Sequence, residues 1–196
     1  VSGKGFQGPG TMSNGLTMKD VETIEKISGF KYITPGLFRS AEVIYNKEKG
    51  FTLVGGLPAE QYSEFLADTG VEMQAGRAIK DNEKYVAIIG SRVAEKMFSK
   101  ELSVGNRIKI NKVDFKIVGI VKEIGNAQDD NQISIPLDTA REIFNEPESV
   151  DTIIVQVKSS SDILAIQEKI EKGLERKRGD TNFEVVTASQ ILEQIN

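Results

Sequence analysis

The stretch from Asp151 to Val186 constrains this chain more than any other. Thr152 to Val157 is a β-branched, apolar run of strand type. From Asp162 the apolar positions change period: Ile163, Ile166, Ile170 and Leu174 recur at helical spacing. The opposite face carries Glu168, Lys169, Glu171, Lys172 and Glu175, with Glu168 and Lys172 placed as a favourable i,i+4 pair. Gly179 is a suitable helix stop, and Phe183 to Val186 reads as a second strand. A helix of about four turns with one apolar stripe is too short for a coiled coil or a membrane-surface helix, so it packs on a sheet. Thr187 with Gln190 forms a capping box for a further helix carrying Ile191, Leu192 and Ile195. That helix is still apolar on one face where the sequence stops, as expected of a domain cut from a longer protein.

The start of the chain mirrors this pattern. Residues 1–14 are rich in Gly, Ser and Pro without periodicity and read as a flexible lead-in. Thr17 caps a helix carrying Met18, Val21, Ile24 and Ile27, with Asp20 near its positive end and Gly29 as its stop. Phe30 to Ile33, Ala41 to Tyr45 and Phe51 to Val54 read as strands, the last two joined by a turn at 46–50. Pro58 opens a short helix through Tyr62, Phe65 and Leu66.

The middle is richer in strands. Tyr85 to Ile89 is a buried strand, followed by a helix capped by Ser91. Arg107 to Ile110 and Asp114 to Ile120 form a hairpin around Asn111 and Lys112. Residues 125–131 are an acidic loop, Ile133 to Pro136 a strand, and Asp138 caps a helix through Ala140, Ile143 and Phe144. Two α+β ends flanking a strand-rich insertion fit one two-lobed domain better than two domains in series.

The chain has 196 residues but neither His nor Cys. This removes the commonest general base, the commonest transition-metal ligand, thiolate nucleophiles and disulfides. A Ser-His-Asp arrangement is excluded within the chain. The charge is mixed, with 25 basic and 29 acidic residues and a net of −4. That gives no clustered basic face for nucleic acid and no polybasic anchor for lipid. No apolar run approaches the ~20 residues needed to span a bilayer.

The remaining candidates for chemistry are few. Asp81 with Glu83, and Asp129 with Asp130, are the acidic pairs in loops, where two carboxylates could serve glycoside hydrolysis or hold a hard cation. Neither has calcium-loop spacing, and turn chemistry is the stronger reading. Gly3-Lys4-Gly5 lacks Walker spacing. Gly55, Gly56, Gly76 and Gly119 do not feed a helix, and Gly90-Ser91 reads as a tight strand-to-helix turn. Arg107, Lys109, Lys112, Lys116 and Lys122 read as the wet face of a half-buried sheet. Phe6, Met12, Phe38 and Phe51 are either exposed contacts or core.

The motif order resembles the MacB-like periplasmic core domain of MacB/FtsX-type ABC transporter permeases. Leu16-Thr17, then Asp20, Val21, Glu22, Ile24 and Gly29, then Tyr32 to Pro35, look like its start. Leu53 to Gly56, Gly76-Arg77, Val86 to Ser91 with Ala94 and Phe98, Val104-Gly105, Phe115 to Ile120 and Ile135 to Ala140 continue it across residues 16–196. The resemblance implies an α+β, two-lobed fold. Residues 15–75 and 150–196 would form a porter-like lobe, and 76–149 an inserted, β-rich, Sabre-like lobe. It implies a non-catalytic domain outside the membrane, without cofactor or metal, that transmits ATP-driven motion of the membrane helices to substrate or partner handling. The partners it implies are a second permease protomer in a homo- or heterodimer, a cytoplasmic ATP-binding subunit, and an extracytoplasmic adaptor or substrate such as a peptide-, lipid- or drug-like molecule. A free-standing ligand-binding protein and a carboxylate-dependent hydrolase are the competing readings.

Overall fold

In a computed structural model of the chain, which describes residues 2–3 and 15–190, the elements separate into two compact units. Residues 1–36 and 148–196 belong to the first, and 37–147 to the second.

The first unit opens with two short strands, β1 (Ser2–Gly3) and β2 (Leu16–Thr17), and the helix α1 (Met18–Glu25). The Thr17 N–H donates to Asp20 Oδ2 at 2.8 Å, so a donor left over at the helix start is satisfied from three residues inside. The next strand, β3 (Phe30–Tyr45), serves both units. The sequence suggests two strands here, yet they form one of 16 residues. Its partners change midway, at Gly36 and Leu37. The first half pairs with a late strand of the first unit and the second half with the following strand. Pro35 lies in the half with one ladder partner among the described residues, where a missing N–H is tolerated.

The second unit continues with β4 (Glu48–Leu57), α2 (Tyr62–Thr69), β5 (Met73–Gly76), β6 (Val86–Ile89) and α3 (Ser91–Lys96). Then come β7 (Arg107–Ile110), β8 (Val113–Val121), α4 (Ala127–Asp130), β9 (Gln132–Pro136) and α5 (Leu137–Phe144). Both hairpins turn on the same dipeptide. Asn46-Lys47 joins β3 to β4, and Asn111-Lys112 joins β7 to β8, all four residues having φ between 46° and 71°. Two such residues make the type I′ turn, whose twist matches that of the flanking strands. The first turn is therefore two residues rather than the five expected from sequence.

Ladder pairings run β3–β4–β9–β6–β8–β7 and return from β7 to β3 through Val43–Ile110 and Ile44–Lys109. The strands thus close on themselves. Val43, Val54, Ile89, Ile110, Phe115 and Ile133 are wholly buried in the associated core. A separate cluster forms around Leu57, Tyr62 and Leu66, with Ile79, Ile88 and Val118. Closure explains where the units divide. The sequence expectation placed the first break after residue 75, but β3 and β4 supply two walls of the ring, so the break falls at Gly36.

Three local expectations also shift. The 125–131 loop contains α4, capped by the Asn126 side chain, which accepts from the Gln128 N–H at 2.9 Å. Asp138 lies in the first turn of α5 rather than at its cap, which is Pro136. Ser91 is the first residue of α3, whose cap is Gly90.

The chain returns to the first unit with β10 (Ser149–Val150), β11 (Thr152–Val157), α6 (Ile163–Arg178) and β12 (Phe183–Glu184). β11 runs antiparallel to the first half of β3, β1 lies between β11 and β12, and β10 pairs with β2. Ile166, Ile170 and Leu174 of α6 and Val21 and Ile24 of α1 bury against Ile33 and Ile153 of the sheet. Each such side chain contributes roughly 1.5–3 kcal/mol. The sheet-packing role expected of α6 is the one observed. The Thr187–Gln190 box is formed, with the Thr187 N–H donating to Gln190 Oε1 at 2.8 Å. The final apolar positions and most of the 1–14 lead-in, including Phe6 and Met12, lie outside the described residues.

Candidate functional site

In each acidic pair the structure exposes one carboxylate and ties down the other. Asp81 is exposed. Glu83 takes both Oε atoms to the Arg77 guanidinium, at 2.9 and 2.6 Å, and also accepts the Lys80 N–H at 2.9 Å. This clamps the loop between β5 and β6. The Arg77 hydrogen bonds are the main reason that the Glu83 carboxyl is held down at about 2. Asp129 is exposed, whereas Asp130 is 1% exposed and accepts the N–H groups of Ile124 at 2.8 Å and Gly125 at 3.1 Å. No group of three Asp or Glu side chains suited to a metal ion occurs among the described residues. Glu83 and Asp130 hold loops in place, while Asp81 and Asp129 face solvent.

The Glu83 clamp has a pH signature. Its folded value lies below the ordinary 4.5, so its stabilisation is fully present above about 4.5 and is lost as pH falls through about 2. Taken whole, the shift corresponds to about 3 kcal/mol. Arg77 is 41% exposed, so solvent screening reduces this to about 1–2 kcal/mol. Glu83→Gln should therefore cost about 1–2 kcal/mol at pH 7 and almost nothing at pH 2. Urea melts of both proteins across that range measure it, and an equal loss at both pH values would refute the assignment.

The glycines are places of close approach. A Cβ at Gly56 would meet Ala140 Cβ at 2.4 Å, and one at Gly119 would meet the Arg77 carbonyl oxygen at 2.5 Å. One at Gly90 would meet the Asp130 carbonyl oxygen at 2.3 Å. Their backbones face protein. Tyr62 is buried with its hydroxyl against Ser134, and burial pushes its pKa up to about 12, so it holds its proton at neutral pH.

Arg107 and Lys109 of β7 and Lys116 of β8 do share one sheet face, as the alternation suggests. Lys109 pairs with Asp114 at 2.7 Å, and Lys122 with Glu72 of the β5 side at 2.7 Å. Arg107 and Lys116 are exposed and stand directly opposite each other in the ladder. Beside them lies a shallow hollow of about 360 Å³, lined by Gly76, Arg77, Val104, Lys116, Ile117 and Val118. Of the aromatic candidates, Phe38 packs partly into the Tyr62 cluster while Phe51 is 73% exposed.

Sequence reasoning missed an ion pair that is nearly closed to solvent. Arg178 Nη1 lies 2.7 Å from Asp20 Oδ2, with side-chain exposures of 8% and 4%. Arg178 also donates to Asp180 Oδ1 at 3.2 Å and lies over the Phe183 ring at 5.8 Å. One oxygen of Asp20 thus serves both the helix cap and the end of α6. Asp20 was legible as a helix-start residue; its second partner is 158 positions away.

Comparison with known proteins gives a consistent picture. The family described as MacB-like periplasmic core domain matches residues 2–172. The chain is 34% identical over 181 residues to an uncharacterized ABC transporter permease of Methanocaldococcus jannaschii, covering 92% of this chain and 45% of that protein. It is 30% identical over 197 residues to a macrolide export ATP-binding/permease protein, MacB, of Bdellovibrio bacteriovorus, covering 92% of this chain and 29% of that one. The chain therefore spans less than half the length of these relatives. Among solved structures, the periplasmic region of MacB from Actinobacillus actinomycetemcomitans matches with a TM-score of 0.81 at 17% identity, over 99% of this chain and 89% of that one. The extracellular domain of the transporter YknZ from Gram-positive bacteria matches at 0.73 and 20% identity, over 88% and 89%. At these identities the structural matches speak to the fold.

Proposed function

Because the chain belongs to the MacB-like periplasmic core domain family, we propose that it is the extracytoplasmic domain of an ABC transporter permease and that it works mechanically. The carrying observation is the family match over residues 2–172, supported by permease relatives that align along 90% or more of this chain. In this reading the unit built from both chain ends is the porter-like lobe, and residues 37–147 form the Sabre-like lobe inserted into it. Membrane helices flank the domain, and a cytoplasmic ATP-binding subunit drives them. A second permease protomer supplies the other half of the machine. The domain carries no chemical step. It converts the ATP cycle into movement against a substrate or an extracytoplasmic adaptor, in export of peptide-, lipid- or drug-like molecules.

The absence of cysteine makes the test direct, since one introduced thiol in this domain is unique within it. Glu64 is exposed on α2, so Glu64→Cys is a labelling site. In the full permease, a membrane-impermeant maleimide should label it from outside intact cells. With spin labels on two protomers in lipid, ATP should shift the inter-label distance distribution, and a hydrolysis-dead ATP-binding subunit should abolish the cycling. Labelling only after permeabilisation would defeat the proposed location. A distribution unmoved by ATP in an active transporter would defeat the mechanical role.

A further inference from the structure

The exposed face of the β7–β8 hairpin carries more positive charge than its surroundings neutralise. Three cations on or near this hairpin each hold a carboxylate: Lys109 with Asp114, Arg77 with Glu83, and Lys122 with Glu72. Arg107 and Lys116 have no carboxylate partner among the described residues. They are also cross-strand partners in the β7–β8 ladder, so two exposed cations stand directly opposite each other. Like charges at such positions destabilise a sheet. A fold that neutralises their neighbours and leaves these two facing each other retains a local repulsion that a bound anion would relieve.

The second observation is the shape beside them. β5 and β7 pair with the same edge of β8 at its two ends, at residues 119–121 and 113–116. Ile117 and Val118 lie between. Across this gap the Arg77 N–H donates to the Val118 carbonyl at 3.0 Å, and the Gly105 N–H to the Ile117 carbonyl at 2.8 Å. The hollow of about 360 Å³ lies here, with Lys116 on its wall. Val104, 41% exposed, also lines it. That volume is near the lower end for ligand pockets. Gly76 lies close against the backbone here: a Cβ there would run into the Val118 carbonyl oxygen and lie 2.9 Å from both Gly119 Cα and Val104 Cγ2.

We propose that this hollow binds the terminal carboxylate of a peptide that ends in an apolar residue. Lys116, on the wall of the hollow, takes the carboxylate together with its ladder partner Arg107, whose guanidinium offers a fork that fits two oxygens. The last side chain lies against Val104. A free phosphate is the poorer fit, because it has nothing to place on Val104. The site lies wholly within residues 37–147 and does not depend on the transporter reading.

The test uses the isotope-labelled 196-residue chain and amide NMR. The probes are N-acetyl-Leu-Leu, its C-terminal amide, and inorganic phosphate. The free acid should give saturating shifts at the amides of Gly76, Val104 and Lys116, with a Kd on the order of 1 mM. Arg107→Gln and Lys116→Gln should each weaken binding by about fivefold or more. The Tm of each variant should hold or rise, because repulsion is removed. Binding of the amide or of phosphate as tightly as the acid would overturn the proposal. So would absence of saturation, or Gln variants that bind like the parent.

Discussion

Arg178→Met should lower the stability of the chain by about 3–5 kcal/mol, the cost of leaving one partner of a buried ion pair without its counter-charge. For a chain of this size that is a fall in Tm of about 10 °C. The Asp20 carboxylate, 4% exposed, would retain the Thr17 N–H as donor but lose the guanidinium at 2.7 Å. Adding Asp20→Asn should restore a large part of the loss. The amide still offers an oxygen to Thr17, and the stranded charge is gone. Arg178→Lys should fall between, because an ammonium cannot reproduce the separate Nε contact to Asp180. Chemical denaturation of the parent, Arg178→Met, Asp20→Asn and the double variant gives the complete cycle, with Arg178→Lys measured beside it. A loss below about 1 kcal/mol for Arg178→Met, the range of an exposed pair, would show that water reaches the pair.

Gly90→Ala should cost about 3 kcal/mol, at the upper end of overpacking penalties. The reason is purely steric. Gly90 has φ −69° and ψ 159°, an extended backbone that alanine adopts freely. Its added Cβ would lie 2.3 Å from the Asp130 carbonyl oxygen and 2.8 Å from that carbonyl carbon. Backbone cannot swing aside as a side-chain end does. The Gly90 N–H also donates to the Gln132 carbonyl at 2.9 Å, so the turn is tied on its other side. Moving Asp130 away would loosen its carboxylate from Ile124 and Gly125. Gly70→Ala is the matched control. Gly70 caps α2 at φ 70° with open space around its Cβ position, so alanine there meets only backbone strain, about 1 kcal/mol. If Gly90→Ala costs no more than Gly70→Ala, the close approach is not what fixes this turn.

The sequence by itself determined the features whose causes lie within a few residues. Thr17 with Asp20 marks a helix start because the bond spans three positions. Gly179 marks a helix end because it takes φ 74°. Asn111-Lys112 marks a two-residue hairpin, and the period of Ile166, Ile170 and Leu174 marks the buried face of α6. The missing His and Cys limited the chemistry before any fold was known. Tertiary structure alone decided what depends on which strands become neighbours. Nothing near Pro35 says that two apparent strands are one, because its continuity comes from β11 on one half and β4 on the other. The ring closes through Val43 and Ile110, 67 positions apart by their numbers, and that closure moved the boundary between units from residue 75 to Gly36. The same holds for charge. Arg107 and Lys116 look like Lys109 and Lys122 in sequence, yet only register sets which cations meet a carboxylate and which meet each other. Local signals survive in the unfolded chain, whereas register and ion pairing exist only after distant segments are brought together.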